Sequence, residues 1–240
     1  MKILAIDTSG QQAGAAIVDE YITIGEILLN ARTGEKAWTH SEILMPGIDQ
    51  LFKLTRLAPT QIDYVAYTCG PGSFTGLRIG AATAQGLARA WEKPAVAVPT
   101  LDALAYNVLG TGCGGLVVPL LDARREQVYA AIYERNVLGQ LSKITDYMAL
   151  PIDEMIHENT ARFENAASII FLGDGADANA DLIRQLLPQA IFTPANNNRT
   201  RAASVGLCAL EMIHSGADTN SDIIYVRAPQ AIREATPKKS

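Results

Sequence analysis

The chain has 240 residues, 48% of them hydrophobic and 19% charged, and a formal net charge of −5. That composition is globular and excludes a disordered chain, and the missing basic surplus argues against a protein that grips nucleic acid unaided. Cys69, Cys113 and Cys208 form neither a metal-ligand spacing nor an even disulfide set, which suits a reducing cytoplasm.

Met1-Lys2 leads straight into an apolar strand over residues 3–7, with no signal peptide ahead of it. A short polar turn, a second strand and a third over 21–29 follow. A helix is predicted over 39–57: Thr39 is its N-cap, Glu42 the capping-box partner, Trp38 against Ile43 a hydrophobic staple, and Pro46 a kink. Ile43, Leu44, Ile48, Leu51 and Phe52 give it an apolar side. Residues 62–69 read as a returning strand.

Next comes a glycine-rich turn, Gly70-Pro71-Gly72-Ser73-Phe74-Thr75-Gly76-Leu77-Arg78-Ile79-Gly80, which feeds a helix running to Trp91. Gly72, Gly76, Gly80, Ala84 and Ala88 recur every fourth residue, so one helix side carries almost no bulk. Each interior glycine costs roughly 1 kcal/mol relative to Ala, which close packing would have to offset. Small residues at this spacing are familiar in membrane helices, but Arg78, Gln85 and Arg89 interrupt this one, and no run reaches the ~18 apolar residues of a span. Neither a P-loop nor a complete dinucleotide fingerprint is present.

A short strand over 95–98 and a helix beginning at Pro99-Thr100 close the first half, and the second begins near Gly112. Residues 3–19 align on 118–134 without a gap, Asp7 on Asp122, Gln12 on Gln127 and Ala15-Ala16-Ile17 on Ala130-Ala131-Ile132, which points to an internal duplication. The rest of the second half offers a strand over 139–147, another over 168–172, a turn at Gly173-Asp174-Gly175, and helices over 177–187 and 202–214. The predicted fold is therefore α/β with two small domains: 1–103 plus 201–222, and 104–200, followed by a mobile tail over 229–240.

The segments Ile3-Leu4-Ala5-Ile6-Asp7-Thr8-Ser9, His40-Ser41-Glu42 with Pro46, Gly70 to Trp91, Asp122-Ala123-Arg124 with Val128-Tyr129, and Tyr225-Val226-Arg227 resemble the TsaB (YeaZ) family over nearly the full length. The resemblance implies a duplicated actin-like (ASKHA, ribonuclease H-like) fold and a part in making N6-threonylcarbamoyladenosine in tRNA. The related catalytic subunit, TsaD, carries a metal-binding HxxxH motif, whose histidines fall here at Thr100 and Leu104. Leu has no donor atom and a lone neutral hydroxyl is a poor substitute, so no metal, cofactor or catalytic residue is expected. Asp7, Thr8, Ser9 and Asp122 remain candidate vestigial nucleotide or metal contacts, because a strand-end carboxylate suits hydrated Mg²⁺ and equally caps a turn. Cys69 has no neighbouring histidine motif to make it a nucleophile.

The implied role is a non-catalytic subunit that binds TsaD and helps to recruit the ATPase TsaE through a composite surface. It would form a homodimer in isolation and meet tRNA only within the complex, in the cytoplasm and away from membranes. Leu44, Ile48, Leu51, Gly72, Phe74, Gly76, Leu77, Gly80 and Ala84 are the expected partner interface, and Gly80→Leu is expected to break association while sparing the fold. The alternative is an independent ATP-dependent phosphotransferase using Asp7 and Asp122.

Overall fold

The computed structural model describes residues 1–30, 39–109, 114–219 and 222–226. Ile3-Leu4-Ala5-Ile6 is uninterrupted apolar sequence because β1 (Ile3–Asp7) is buried on both faces at the centre of a sheet. It pairs antiparallel with β2 (Gln12–Val18) and parallel with β4 (Tyr64–Gly70). β3 (Thr23–Asn30) and β5 (Ala95–Pro99) complete the order β3-β2-β1-β4-β5. Leu4 and Ile6 pack under α1 (His40–Thr55) and α2 (Phe74–Trp91), whereas Ile3 and Ala5 face α8 (Ala202–Ser215) on the other side.

The second sheet repeats this plan around β6 (Gly115–Asp122), with β11 (Ile169–Leu172) and β12 (Ala190–Phe192) parallel to it in turn. β7 (Val128–Ala130) and β8 (Tyr133–Arg135) both pair antiparallel with β6 in one continuous register, from Asp122↔Val128 to Gly115↔Arg135. They are one strand interrupted at Ala131-Ile132, and Pro119, which has no amide hydrogen to give, lies opposite Ala131 in that register. The expected single strand over 139–147 is likewise two, β9 (Leu141–Lys143) and β10 (Met148–Leu150), because the chain swings in between them to bond Ile132 through Ile144 N and Thr145 Oγ1. The helix expected over 177–187 is α6 (Asp174–Ala178) and α7 (Ala180–Leu186), broken at Asn179, whose side chain turns back to the carbonyl of Gly175. With α4 (Ile152–Glu158) and α5 (Thr160–Glu164), these helices cover the outer face of the second sheet. α3 (Thr100–Ala105) lies with α8 between the two sheets.

The duplicated fold expected from the sequence is thus observed, but the ungapped repeat slips by one residue in β6. Leu4 and Ile6 face the outer helices of their half, and so do Val118 and Leu120, an even offset, whereas Ala15 and Ile17 match Ala130 and Ile132 at an odd one. Strand side chains alternate, so Asp7 and Asp122 end their strands on opposite faces.

The helix boundaries hold closely. Thr39 caps α1, its amide donating to Glu42 at 2.7 Å, and the helix runs on through Pro46 as one element. The Trp38 staple and the tail from 229 lie outside the described residues. The small side of α2 is not an open surface. A Cβ at Gly76 would overlap the carbonyl oxygen of Thr8, and one at Gly80 would overlap the Thr8 hydroxyl. Gly76→Ala and Gly80→Ala should each lose roughly 1–3 kcal/mol in urea unfolding by overpacking. Gly86 has open space around it, so Gly86→Ala should gain up to about 1 kcal/mol.

Candidate functional site

Two features stand out. One is a cleft of about 620 Å³ between the halves, at the ends of β1 and β6 and the start of α2, lined among others by Ser9, His40, Ser73, Asp122 and Arg124. The other is the outward face of α1 and α2.

Asp7 does not line the cleft: it is 2% exposed, and its Oδ1 accepts from the amide of Ser9 at 3.0 Å, the Ser9 hydroxyl at 2.7 Å and the Thr68 hydroxyl at 2.9 Å. Burial raises its pKa, and the Ser9 and Thr68 bonds oppose that rise. Thr8 donates its hydroxyl to the carbonyl of Gly76 at 2.8 Å, and the Ser73 amide donates to the carbonyl of Ser9 at 2.7 Å. Ser73 in turn caps α2, accepting from Gly76 at 3.3 Å. Asp7, Thr8 and Ser9 therefore bind β1 to β4 and α2, and Asp7 spends its inward oxygen on its own fold. Asp122 is exposed, accepts from the amide of Arg124 at 2.7 Å, and donates its own amide to Asp174 at 3.0 Å. Each carboxylate caps the turn that follows it. Thr68, a β4 residue 61 positions from Asp7, carries no signal in the sequence, and Asp174 is marked there only as part of the turn at Gly173-Asp174-Gly175. His40 was visible only as part of a motif. It sits at the first turn of α1 with Nε2 buried and unbonded among the described residues.

Other candidates lack chemical means. Burial pushes the Cys69 thiol up to about 12, which leaves almost no thiolate at neutral pH. Thr100 and Leu104 are 0% exposed, and Leu104 packs in the core between α3 and the second sheet. No group of three or more His, Cys, Asp or Glu side chains placed to hold a metal occurs among the described residues.

The helix face requires a correction. Leu44, Ile48, Leu51 and Ala84 belong to the core of the first half, and Leu77 is 1% exposed. Gly76 and Gly80 are closed off by Thr8, and Gly72 is half-buried against Ser9. Helical periodicity marks these positions as one side but cannot say which neighbour covers it, and here the covering neighbour is the chain's own sheet. Of the nine expected interface residues only Phe74, at 42%, stands well exposed. Elsewhere on the two helices Met45 at 46% and Leu54 at 68% stand exposed, nine residues apart and so on opposite sides of α1, as do Ala82, Gln85 and Gly86 on α2. Since Gly80 abuts Thr8, Gly80→Leu would damage the fold and not only an interface.

Residues 34–233 match the family model described as TsaD: tRNA N6-adenosine threonylcarbamoyltransferase. Over 202 residues the chain is 33% identical to the tRNA threonylcarbamoyladenosine biosynthesis protein TsaB of Bacillus subtilis (strain 168), covering 82% of each. The chain belongs to the TsaB family. The TsaB protein of Escherichia coli (strain K12) is 31% identical over 183 residues, 76% of this chain and 75% of that protein. A solved Pseudomonas aeruginosa structure, described as an uncharacterized protein with similarity to peptidase YEAZ, superposes with a TM-score of 0.76 at 24% identity, over 94% of this chain and 99% of that one. The inorganic polyphosphate/ATP-glucomannokinase of Arthrobacter sp. strain KM reaches 0.53 at 13% identity, over 89% and 99%, and shares the fold alone. This TsaB-family chain thus has a part in tRNA threonylcarbamoyladenosine biosynthesis.

The buried Asp7 fixes a sign. Its folded pKa lies above the unfolded one, so the folded state holds the proton longer, and this group's contribution to stability falls as pH rises from about 4 through the folded pKa. Asp7→Asn keeps Oδ1 as acceptor and cannot ionise. Urea midpoints of the variant should improve relative to wild type between pH 4 and pH 7, whereas a constant difference across that range would mean that Asp7 does not titrate differently on folding.

Proposed function

We propose that this chain is a non-catalytic subunit of the threonylcarbamoyladenosine-forming complex, which binds the catalytic subunit TsaD and helps to recruit the ATPase TsaE through a surface that the two form together. The observation that carries the reading is the likeness to TsaB proteins over most of the chain. Supporting it, the positions that correspond to the metal-binding histidines of the catalytic subunit are Thr100 and Leu104, both fully buried. The phosphotransferase alternative finds little support, because Asp7 is buried, bonded by its neighbours and not among the residues lining the cleft, while Asp122, which does line it, is bonded to the amide of Arg124. tRNA is met within the complex, in the cytoplasm.

The interface moves outward from the positions expected at first. Met45, Leu54 and Phe74 are large apolar side chains left in solvent on α1 and α2, and the Phe74 ring is held between Tyr225, 5.7 Å away, and the Arg78 guanidinium, 3.9 Å above it. A partner covering this face removes apolar surface from water at about 25 cal/mol per Å². The same face serves a homodimer in isolation, so TsaD and a second copy compete for it. Met45→Glu and Leu54→Glu, assayed separately because the two side chains leave α1 on opposite sides, should each keep the melting temperature within a few degrees, and the one that the partner covers should weaken the TsaD complex at least tenfold by sedimentation velocity, about 1.4 kcal/mol or more. Unchanged affinity would place the interface elsewhere.

A further inference from the structure

The segment from α3 through the following turn at Tyr106–Val108 leaves the first sheet and lies against the second, and three polar anchors line it. At its start, Asp102 Oδ1 accepts from the phenol of Tyr147 at 2.7 Å and from that of Tyr133, both residues of the second half. The Tyr147 ring is itself covered by the Lys143 ammonium, 3.8 Å from its centre. At its end, Asn107 donates to the carbonyls of Asn197 at 2.8 Å and Arg199 at 2.7 Å, and accepts from the Ser204 hydroxyl of α8 at 2.7 Å. Arg135, 2% exposed on β8, reaches the carbonyls of Val108 at 3.4 Å and Gly114 at 3.2 Å. Between the anchors, Leu101, Leu104, Ala105 and Val108 pack on Val117, Ala131 and Leu172.

We infer that Asp102 and Asn107 form a two-point latch that fixes the second half on the α3–α8 layer, so that the two halves move as one body and the cleft between them keeps its width. The geometry favours a lock over a hinge. A hinge needs few residues and weak contacts across it, whereas here one carboxylate oxygen takes two phenols from different parts of the second half, and one amide ties two loop carbonyls to α8. Asp102 acts through the tyrosines and is a positioning residue. Burial and the Asp102 charge both raise the pKa values of the Tyr133 and Tyr147 phenols, so these groups remain donors through the physiological range.

The test is amide hydrogen exchange on the full chain, read by mass spectrometry for wild type, Asp102→Ala, Asp102→Asn and Tyr147→Phe. Asp102→Ala should raise exchange in β7 to β10 by about tenfold or more, the loss expected of two bonds to a charged acceptor, while β1 and β4 stay protected. Small-angle scattering should report a larger radius of gyration for this variant. Asp102→Asn, whose Oδ1 can accept both phenols, should restore protection, and Tyr147→Phe, which keeps the ring and loses one donor, should fall between. Exchange in β7 to β10 that does not respond to Asp102→Ala would overturn the latch. So would an increase spread equally over both sheets, which signals lost global stability alone. If Asp102→Ala fails to fold, Tyr147→Phe decides by the same regional comparison.

Discussion

The structure turns on the meeting of Thr8 with the glycines of α2. A strand end and a helix start can approach this closely only if the helix carries no Cβ where they touch, and Gly76 and Gly80 meet that demand against the carbonyl and hydroxyl of Thr8. The contact sets the height of α2 over the sheet, and α1 takes its place beside it, with Phe52 and Trp91 edge to face at 5.7 Å across the far end of the pair. Glycines that look like preparation for a partner are spent on the chain's own sheet.

The two halves share a plan and differ in use. Each has a central strand ended by an aspartate that caps the next turn, but the one-residue slip in β6 puts the two carboxylates on opposite faces. Buried Asp7 ties the turn after β1 to β4, and exposed Asp122 ties its strand to α6. A cleft remains between the halves, yet its acids already serve the backbone. The proposed non-catalytic role asks nothing more of these acids than that.

Much of this was legible in the sequence. The capping box at Thr39 and Glu42, the apolar run of β1 and the glycine-rich entry to α2 are local signals, and local structure obeyed them. What was not legible depends on partners far along the chain. Nothing near Gly80 names Thr8, nothing near Asp7 names Thr68, and nothing near Asp102 names Tyr133 and Tyr147. Pro119 could have warned of the break between β7 and β8, had the register been known. Helical spacing identified the buried side of α1 and α2 correctly as a contact side and could not distinguish an internal contact from an external one.

The most direct test of the account is an omission experiment: threonylcarbamoyladenosine formation on unmodified tRNA with threonine, bicarbonate, ATP and purified TsaC, TsaD and TsaE, with and without this chain. The account predicts product only when the chain is present, and undiminished product when Asp7→Asn replaces it, because that residue does structural work. Product in its absence, or product abolished by Asp7→Asn in a variant that folds and binds TsaD normally, would contradict a non-catalytic role.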